Sequence, residues 1–144
     1  EGNRLPVYGD GMNVRDWLYV GDHCAAIRLA LRRGRPGETY NIGGNSEKTN
    51  LEVINALCVI LDALRPASAP HARLIAFVRD RPGHDRRYAI NAGKMKSELG
   101  WTPGERFADG LRKTVQWYLA HMDWVTAVQS GAYRQWVEIN YTRR

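Results

Sequence analysis

The 144 residues hold no GxGxxG or GxxGxxG turn behind a strand, so the backbone cradle that seats a dinucleotide pyrophosphate on a helix N-terminus is missing. No tyrosine is followed by a lysine four residues later. Cysteine is scarce: Cys24 and Cys58 form no CxxC pair and have no histidine at zinc spacing, which excludes a thiol-based zinc module. Both fall on the apolar stripes of predicted helices, so buried reduced thiols are expected. No apolar run approaches the roughly 18 residues that span a bilayer, and Glu1-Gly2-Asn3-Arg4 has no signal-peptide character, so the expectation is a cytoplasmic protein without a membrane role. Internal repeats, low-complexity tracts and dividing linkers are also lacking, which favours one continuous unit over residues 1–144.

What is present suits an ordinary soluble α/β chain: 44% hydrophobic and 25% charged residues can supply one core. The formal net charge of +6 suggests a polyanionic ligand, yet the arginines are scattered and no nucleic-acid motif appears, so nucleic acid is a poor expectation. In chain order, Arg4 to Tyr8 reads as a short strand entering the turn Gly9-Asp10-Gly11, with Pro6 holding it at an edge. Arg15 to Val20 alternates as a strand, and Asp22 can cap the helix behind it, whose stripe runs Cys24, Ile27 and Leu31 to Gly34 and Pro36. Glu38 to Ile42 reads as a second interior strand, with Asn41 near its C-terminal end. Thr49-Asn50-Leu51-Glu52 is a capping box opening a helix with Leu51, Ile54, Cys58, Leu61 and Leu64 on one face. Strands over Leu74 to Val78 and Tyr88 to Ile90 follow, then a helix from Lys94 to Leu99 stopped by Gly100, a longer one from Phe107 to Met122, and one or two short helices in the aromatic tail.

The stretch Asp80-Arg81-Pro82-Gly83-His84-Asp85-Arg86-Arg87 lies between the last two predicted strands, and core packing does not ask for it. Arginine forks match phosphate or carboxylate oxygens, so an arginine-rich Pro-Gly turn is a candidate anion clamp. It reads equally as a salt-bridged surface loop, as Arg15 next to Asp16 reads as a local ion pair.

Together Leu5-Pro6-Val7-Tyr8-Gly9, Arg15-Asp16-Trp17-Leu18-Tyr19-Val20, Thr39-Tyr40-Asn41-Ile42-Gly43-Gly44 and Asp80 to Ile90 resemble the C-terminal part of the dTDP-glucose 4,6-dehydratases, members of the extended short-chain dehydrogenase/reductase family. The Arg15 and Asn41 segments are shared with nucleotide-sugar epimerases and decarboxylases, whereas DRPGHDRRYAI points to the dehydratase branch. The resemblance implies mixed short strands and helices without the N-terminal NAD-binding Rossmann half. It implies a substrate site in which Pro6 and Tyr8 border the thymine of dTDP-glucose, while Arg15, Asn41, Asp80 and Arg81 surround the diphosphate with His84 close to it. The family's Tyr-Lys pair, its acid/base group and its NAD site lie outside this sequence. Catalytic residues are therefore expected in none of these positions, and the expected partners are the Rossmann half and, in a complete enzyme, a second copy. Glu1-Gly2-Asn3 resembles the end of a family helix, as if the chain began mid-domain. Asn91 stands where the family tends to show aspartate, and Gly93 where a better helix former is expected; both should weaken the next helix. Another extended-family nucleotide-sugar epimerase or decarboxylase, or a basic module that binds an anion, nucleic acid or a protein partner without catalysis, remain alternatives.

Overall fold

The computed structural model describes residues 2–131, with compact units dividing between Arg112 and Lys113. In the first unit, β1 (Leu5–Tyr8) pairs in parallel with β4 (Ile75–Val78), Tyr8 lying opposite Val78. The antiparallel pair β2 (Val14–Asp16) and β3 (Glu47–Thr49) sets Arg15 opposite Lys48. Helices α1 (Val20–Arg33), α2 (Asn50–Leu64) and α3 (Gly93–Leu99) complete the unit, with a 3₁₀ turn at His71–Leu74 leading into β4.

Local chemistry explains most boundaries. Thr49 Oγ1 accepts from the Glu52 amide at 3.1 Å while Glu52 Oε2 accepts from the Thr49 amide at 2.7 Å, the predicted capping box. The next amides of α2 are satisfied by the β1–β2 connection, Leu51 N–H on Gly11 O at 2.9 Å and Asn50 N–H on Asn13 O at 3.0 Å. Gly100, at φ +72°, ends α3 in the left-handed conformation that glycine adopts without a Cβ penalty. Asn91 Oδ1 takes the Gly93 amide at 2.9 Å, so the asparagine expected to weaken α3 also supplies one of its N-terminal acceptors.

Several expectations are corrected. The strand expected over Arg15 to Val20 covers only Val14–Asp16. The Asp16 carboxylate leaves it to accept from the Gly44 and Ser46 amides, both at 2.7 Å, and the chain enters α1 at Val20. Asp22 does not cap α1; its carboxylate accepts from the Glu105 amide at 2.8 Å, and the N-cap is Tyr19, without a side-chain bond. Glu38 to Ile42 is not a strand, because no other described segment pairs with its backbone, although Tyr40 and Ile42 still turn inward to the core. The partner of β2 is instead the polar Glu47–Thr49, which has no apolar alternation to announce it. Tyr88 to Ile90 reduces to one bridge, Val14 with Arg87, made by Val14 N–H on Arg86 O at 2.8 Å and Tyr88 N–H on Val14 O at 3.0 Å.

The core cluster joins Ala26 with Met95, Leu99 and Trp101, flanked by Leu18, Leu29, Ala30, Tyr40 and Ile42. Helix α1 thus turns its small Ala26 and Ala30 inward, letting α3 approach. Its larger stripe stays outside: Val20 is 64% exposed, Ile27 43% and Leu31 82%. Cys24, expected to be buried, is exposed on that stripe, whereas Cys58 is buried in α2 and its thiol is pushed up by desolvation. An ionic clasp ties the segment after α1 to α3: Arg35 with Glu98 at 2.8 Å, Lys94 with Glu38 at 2.5 Å, and Lys94 over the Tyr40 ring at 4.8 Å.

Helix α4 (Phe107–Ala120) runs into the second unit, where α5 (Met122–Gln129) follows. Trp117 stacks on His121 with ring centroids 4.4 Å apart and meets Trp124 edge-on at 5.2 Å. The expectations for Tyr133, Trp136 and Tyr141 lie outside the described residues.

Candidate functional site

The charged loop sits at the C-terminal ends of the parallel pair. Gly9 N–H donates to Val78 O at 3.0 Å, so the exits of β1 and β4 run side by side into Gly9-Asp10-Gly11 and into Asp80-Arg81. Gly9 has φ +59°, and a Cβ there would lie 2.8 Å from Asp80 Oδ2, so only glycine lets the two turns approach.

The loop's three arginines and Arg15 of β2 divide into two pairs. Arg86 makes a fork to Asp10, with contacts of 2.8, 3.1 and 3.1 Å, and Arg87 makes one to Glu47, with two of 2.6 Å. These guanidiniums hold the carboxyls of Asp10 and Glu47 below the usual range and fix the loop to the β1–β2 turn and to β3. Arg15 and Arg81, by contrast, have no carboxylate partner among the described residues. Arg15 donates to the carbonyls of Val14 at 2.6 Å and Asp85 at 3.1 Å and lies 4.7 Å from the centroid of the Tyr88 ring. The alternative of a local Arg15–Asp16 ion pair is not what forms, since the Asp16 carboxylate is engaged at Gly44 and Ser46. Tyr88 donates its hydroxyl to Asp85, which raises the phenol above its ordinary range, and the charges of both Arg15 and Arg81 act on it in the opposite sense. Two guanidiniums without counter-ions therefore act on one phenol.

Asp80 and His84 form a second constellation. His84 Nδ1 lies 2.7 Å from Asp80 Oδ1, which also accepts from the Arg81 amide at 2.9 Å. The imidazole bond, helped by that amide, holds the Asp80 carboxyl below its usual range. Tyr8 is half-exposed at the end of β1 and Pro6 is exposed within it. Asn41 is exposed and bonds none of the other candidates; Gly43, two residues on, packs against Asp16 and Ile90.

Three residues not singled out from the sequence shape this site. Tyr88 and Asp85 flank Arg15, and Asn13, 1% exposed, ties its Nδ2 to Asp85 O at 3.2 Å while its Oδ1 has no partner. A buried amide behind an arginine strand has no sequence signature, whereas Tyr88 beside three arginines did offer one. Among the described residues no His, Cys, Asp or Glu grouping could hold a metal ion, and no helix is long and apolar enough to cross a membrane.

Comparison with known proteins shows the family to which the chain belongs. The chain is 54% identical over 144 residues to a dTDP-glucose 4,6-dehydratase of Salmonella typhimurium, covering 100% of this chain and 40% of that protein. It is 58% identical over 135 residues to the dTDP-glucose 4,6-dehydratase of Xanthomonas campestris pv. campestris, covering 92% of this chain and 38% of that one. The crystal structure of the dTDP-glucose 4,6-dehydratase of Bacillus anthracis, in complex with NAD, superimposes with a TM-score of 0.74 at 53% identity over 85% of this chain and 37% of its own. The chain thus spans about two fifths of the length of the curated relatives it matches, and its α/β fold is that of part of an extended short-chain dehydrogenase/reductase. With residues 1–114 matched by the family model for GDP-mannose 4,6 dehydratase, the chain belongs to that family.

Proposed function

We propose that this chain is the nucleotide-sugar-binding part of a dTDP-glucose 4,6-dehydratase, the lyase that converts dTDP-glucose to dTDP-4-keto-6-deoxyglucose and water. The observation that carries the reading is the division of the arginines: Arg86 and Arg87 are neutralised by bidentate carboxylates, while Arg15 and Arg81, which both act on Tyr88, have no carboxylate partner among the described residues. A diphosphate carries about two charges, which two such guanidiniums match. Tyr8 and Pro6, exposed at the strand leading into this loop, offer the apolar border for the base, and exposed Asn41 an amide at the rim. Acid/base groups are assigned to none of these residues.

The residues present do not fit a dinucleotide. Gly9 and Gly11 follow a strand, but the next element is β2 rather than a helix, and the α2 N-terminus that reaches this turn gives its Asn50 and Leu51 amides to Asn13 O and Gly11 O instead of leaving them for a phosphate. NAD is therefore assigned to the portion of the relatives that this chain does not match. That portion, a Rossmann half, is the proposed partner: the stripe Val20, Cys24, Ile27 and Leu31 on α1 and the segment 39–42, which pairs with no strand among the described residues, offer it an apolar face and a strand edge.

Calorimetry with dTDP tests the clamp. Replacing Arg15 or Arg81 by alanine should each remove a charge-assisted bond worth about 1.5 to 3 kcal/mol, or about 10- to 150-fold in affinity. Unchanged affinity in both variants would overturn the assignment.

A further inference from the structure

The structure points to Asp80 as a positioning residue that acts through His84 and does not itself touch the ligand, an inference that rests on the diphosphate site proposed above. We propose that Asp80 keeps the proton of the neutral imidazole on Nδ1 and that Nε2 takes up a second proton when a nucleoside diphosphate binds, turning His84 into a cationic donor.

The geometry fixes the carboxylate from three sides. Oδ1 receives the His84 ring at 2.7 Å and the Arg81 amide at 2.9 Å, and Oδ2 stands where a Cβ on Gly9 would be 2.8 Å away. Both lone-pair directions of Oδ1 are thereby engaged and the second oxygen abuts β1's exit. The Asp80 side chain is 42% exposed, but a carboxylate repels an anion directly, so its route to a diphosphate runs through the ring. The His84 side chain is 7% exposed, so its ring has little room to turn. A carboxylate at Nδ1 selects the Nδ1–H tautomer, which leaves Nε2 as a bare acceptor. Among the described residues Nε2 has no partner.

A bare acceptor opposes a phosphate oxygen, so binding must either avoid the ring or bring a proton to it. The charges nearby favour the second course. Asp80 balances the imidazolium that results, Asp10 on the turn after β1 adds negative charge, and Arg86 is held in a fork by Asp10. Arg81, on the same loop, stays cationic, and β4 contributes only Ile75–Val78 before Arg79. The proton comes from solvent, goes to Nε2, and no bond is broken.

The full chain can be tested in two ways. Nitrogen-15 spectra of the histidine rings, with His84 assigned by its loss in His84→Gln, should show Nδ1 protonated in the wild type and in Asp80→Asn, which keeps an acceptor, but not in Asp80→Ala. Calorimetry with dTDP near pH 7.5, in two buffers of different ionisation enthalpy, should show proton uptake by the wild type. That uptake should vanish in Asp80→Asn and in His84→Gln, with affinity falling about tenfold in each and no further in the double variant, as expected for one charge-assisted bond. A merely structural Asp80 would be replaced by asparagine without loss of uptake, which would overturn the proposal. So would a loss in Asp80→Asn that persists when His84 is already glutamine, because Asp80 would then meet the ligand itself. If dTDP binds the wild type at the expected affinity without proton uptake, the diphosphate site stands and the role of Asp80 falls. If dTDP does not bind at all, the site falls and proton uptake with it, and an Nε2–H ring in the free wild type would dispose of the tautomer claim as well.

Discussion

At the residue scale, the carboxyls of Asp10, Glu47 and Asp80 are all held below their ordinary values, by Arg86, Arg87 and His84 respectively. A group whose folded value is depressed adds stability that is fully present above its unfolded value and is lost as pH falls through the folded one. The ordinary values are 3.8 for aspartate and 4.5 for glutamate, so the urea midpoint should be flat from neutrality to about pH 5 and should fall below about pH 4. The pairs are exposed, so the fall should be shallow and smaller at high salt; a midpoint that drops between pH 5 and 7 would contradict this origin. The arginines were visible in the sequence, but which ones are free was not, because that depends on carboxylates 40 and 76 positions away at Glu47 and Asp10.

At the element scale, what was legible followed from local chemistry. The capping box of α2 and the Gly100 stop of α3 are contacts within one turn, and both stand where the residue order puts them. Thr49→Ala should therefore cost about 1 kcal/mol in urea unfolding, since the Glu52 amide loses its Oγ1 acceptor while the residue 49 amide keeps Glu52 Oε2; a cost below about 0.3 kcal/mol would mean that the helix start is held by its bonds to Gly11 and Asn13 instead. Strands were less legible because a ladder requires a partner. Thr39, Tyr40, Asn41 and Ile42 alternate as a strand should, yet no described segment pairs with them, whereas polar Glu47–Thr49 pairs with β2 through backbone position alone. The face that α1 buries is hidden in the sequence for a related reason: two apolar stripes exist, and packing against Met95 and Leu99 selects the one with alanines.

At the scale of the whole molecule, the uncovered face of α1 and the 39–42 segment, which pairs with no strand among the described residues, predict self-association of the isolated chain. Co-expression with the N-terminal half of a related dTDP-glucose 4,6-dehydratase should give a soluble heteromeric complex in size-exclusion chromatography, with the Leu31→Glu variant failing to form it. A monodisperse monomer indifferent to that half would contradict the proposed partner. The net charge of +6 gives no hint of any of this. The dipeptide Arg15-Asp16 makes the reason plain, because successive strand residues point to opposite faces. The cation is sent one way, to two carbonyls and the Tyr88 ring, and the anion the other way, to two backbone amides. Transposing the two residues, by Arg15→Asp together with Asp16→Arg, would leave mass, isoelectric point and amino-acid content untouched. It should nonetheless abolish dTDP binding and loosen the 44–46 turn together, because what the fold uses there is the order of two charges and not their sum.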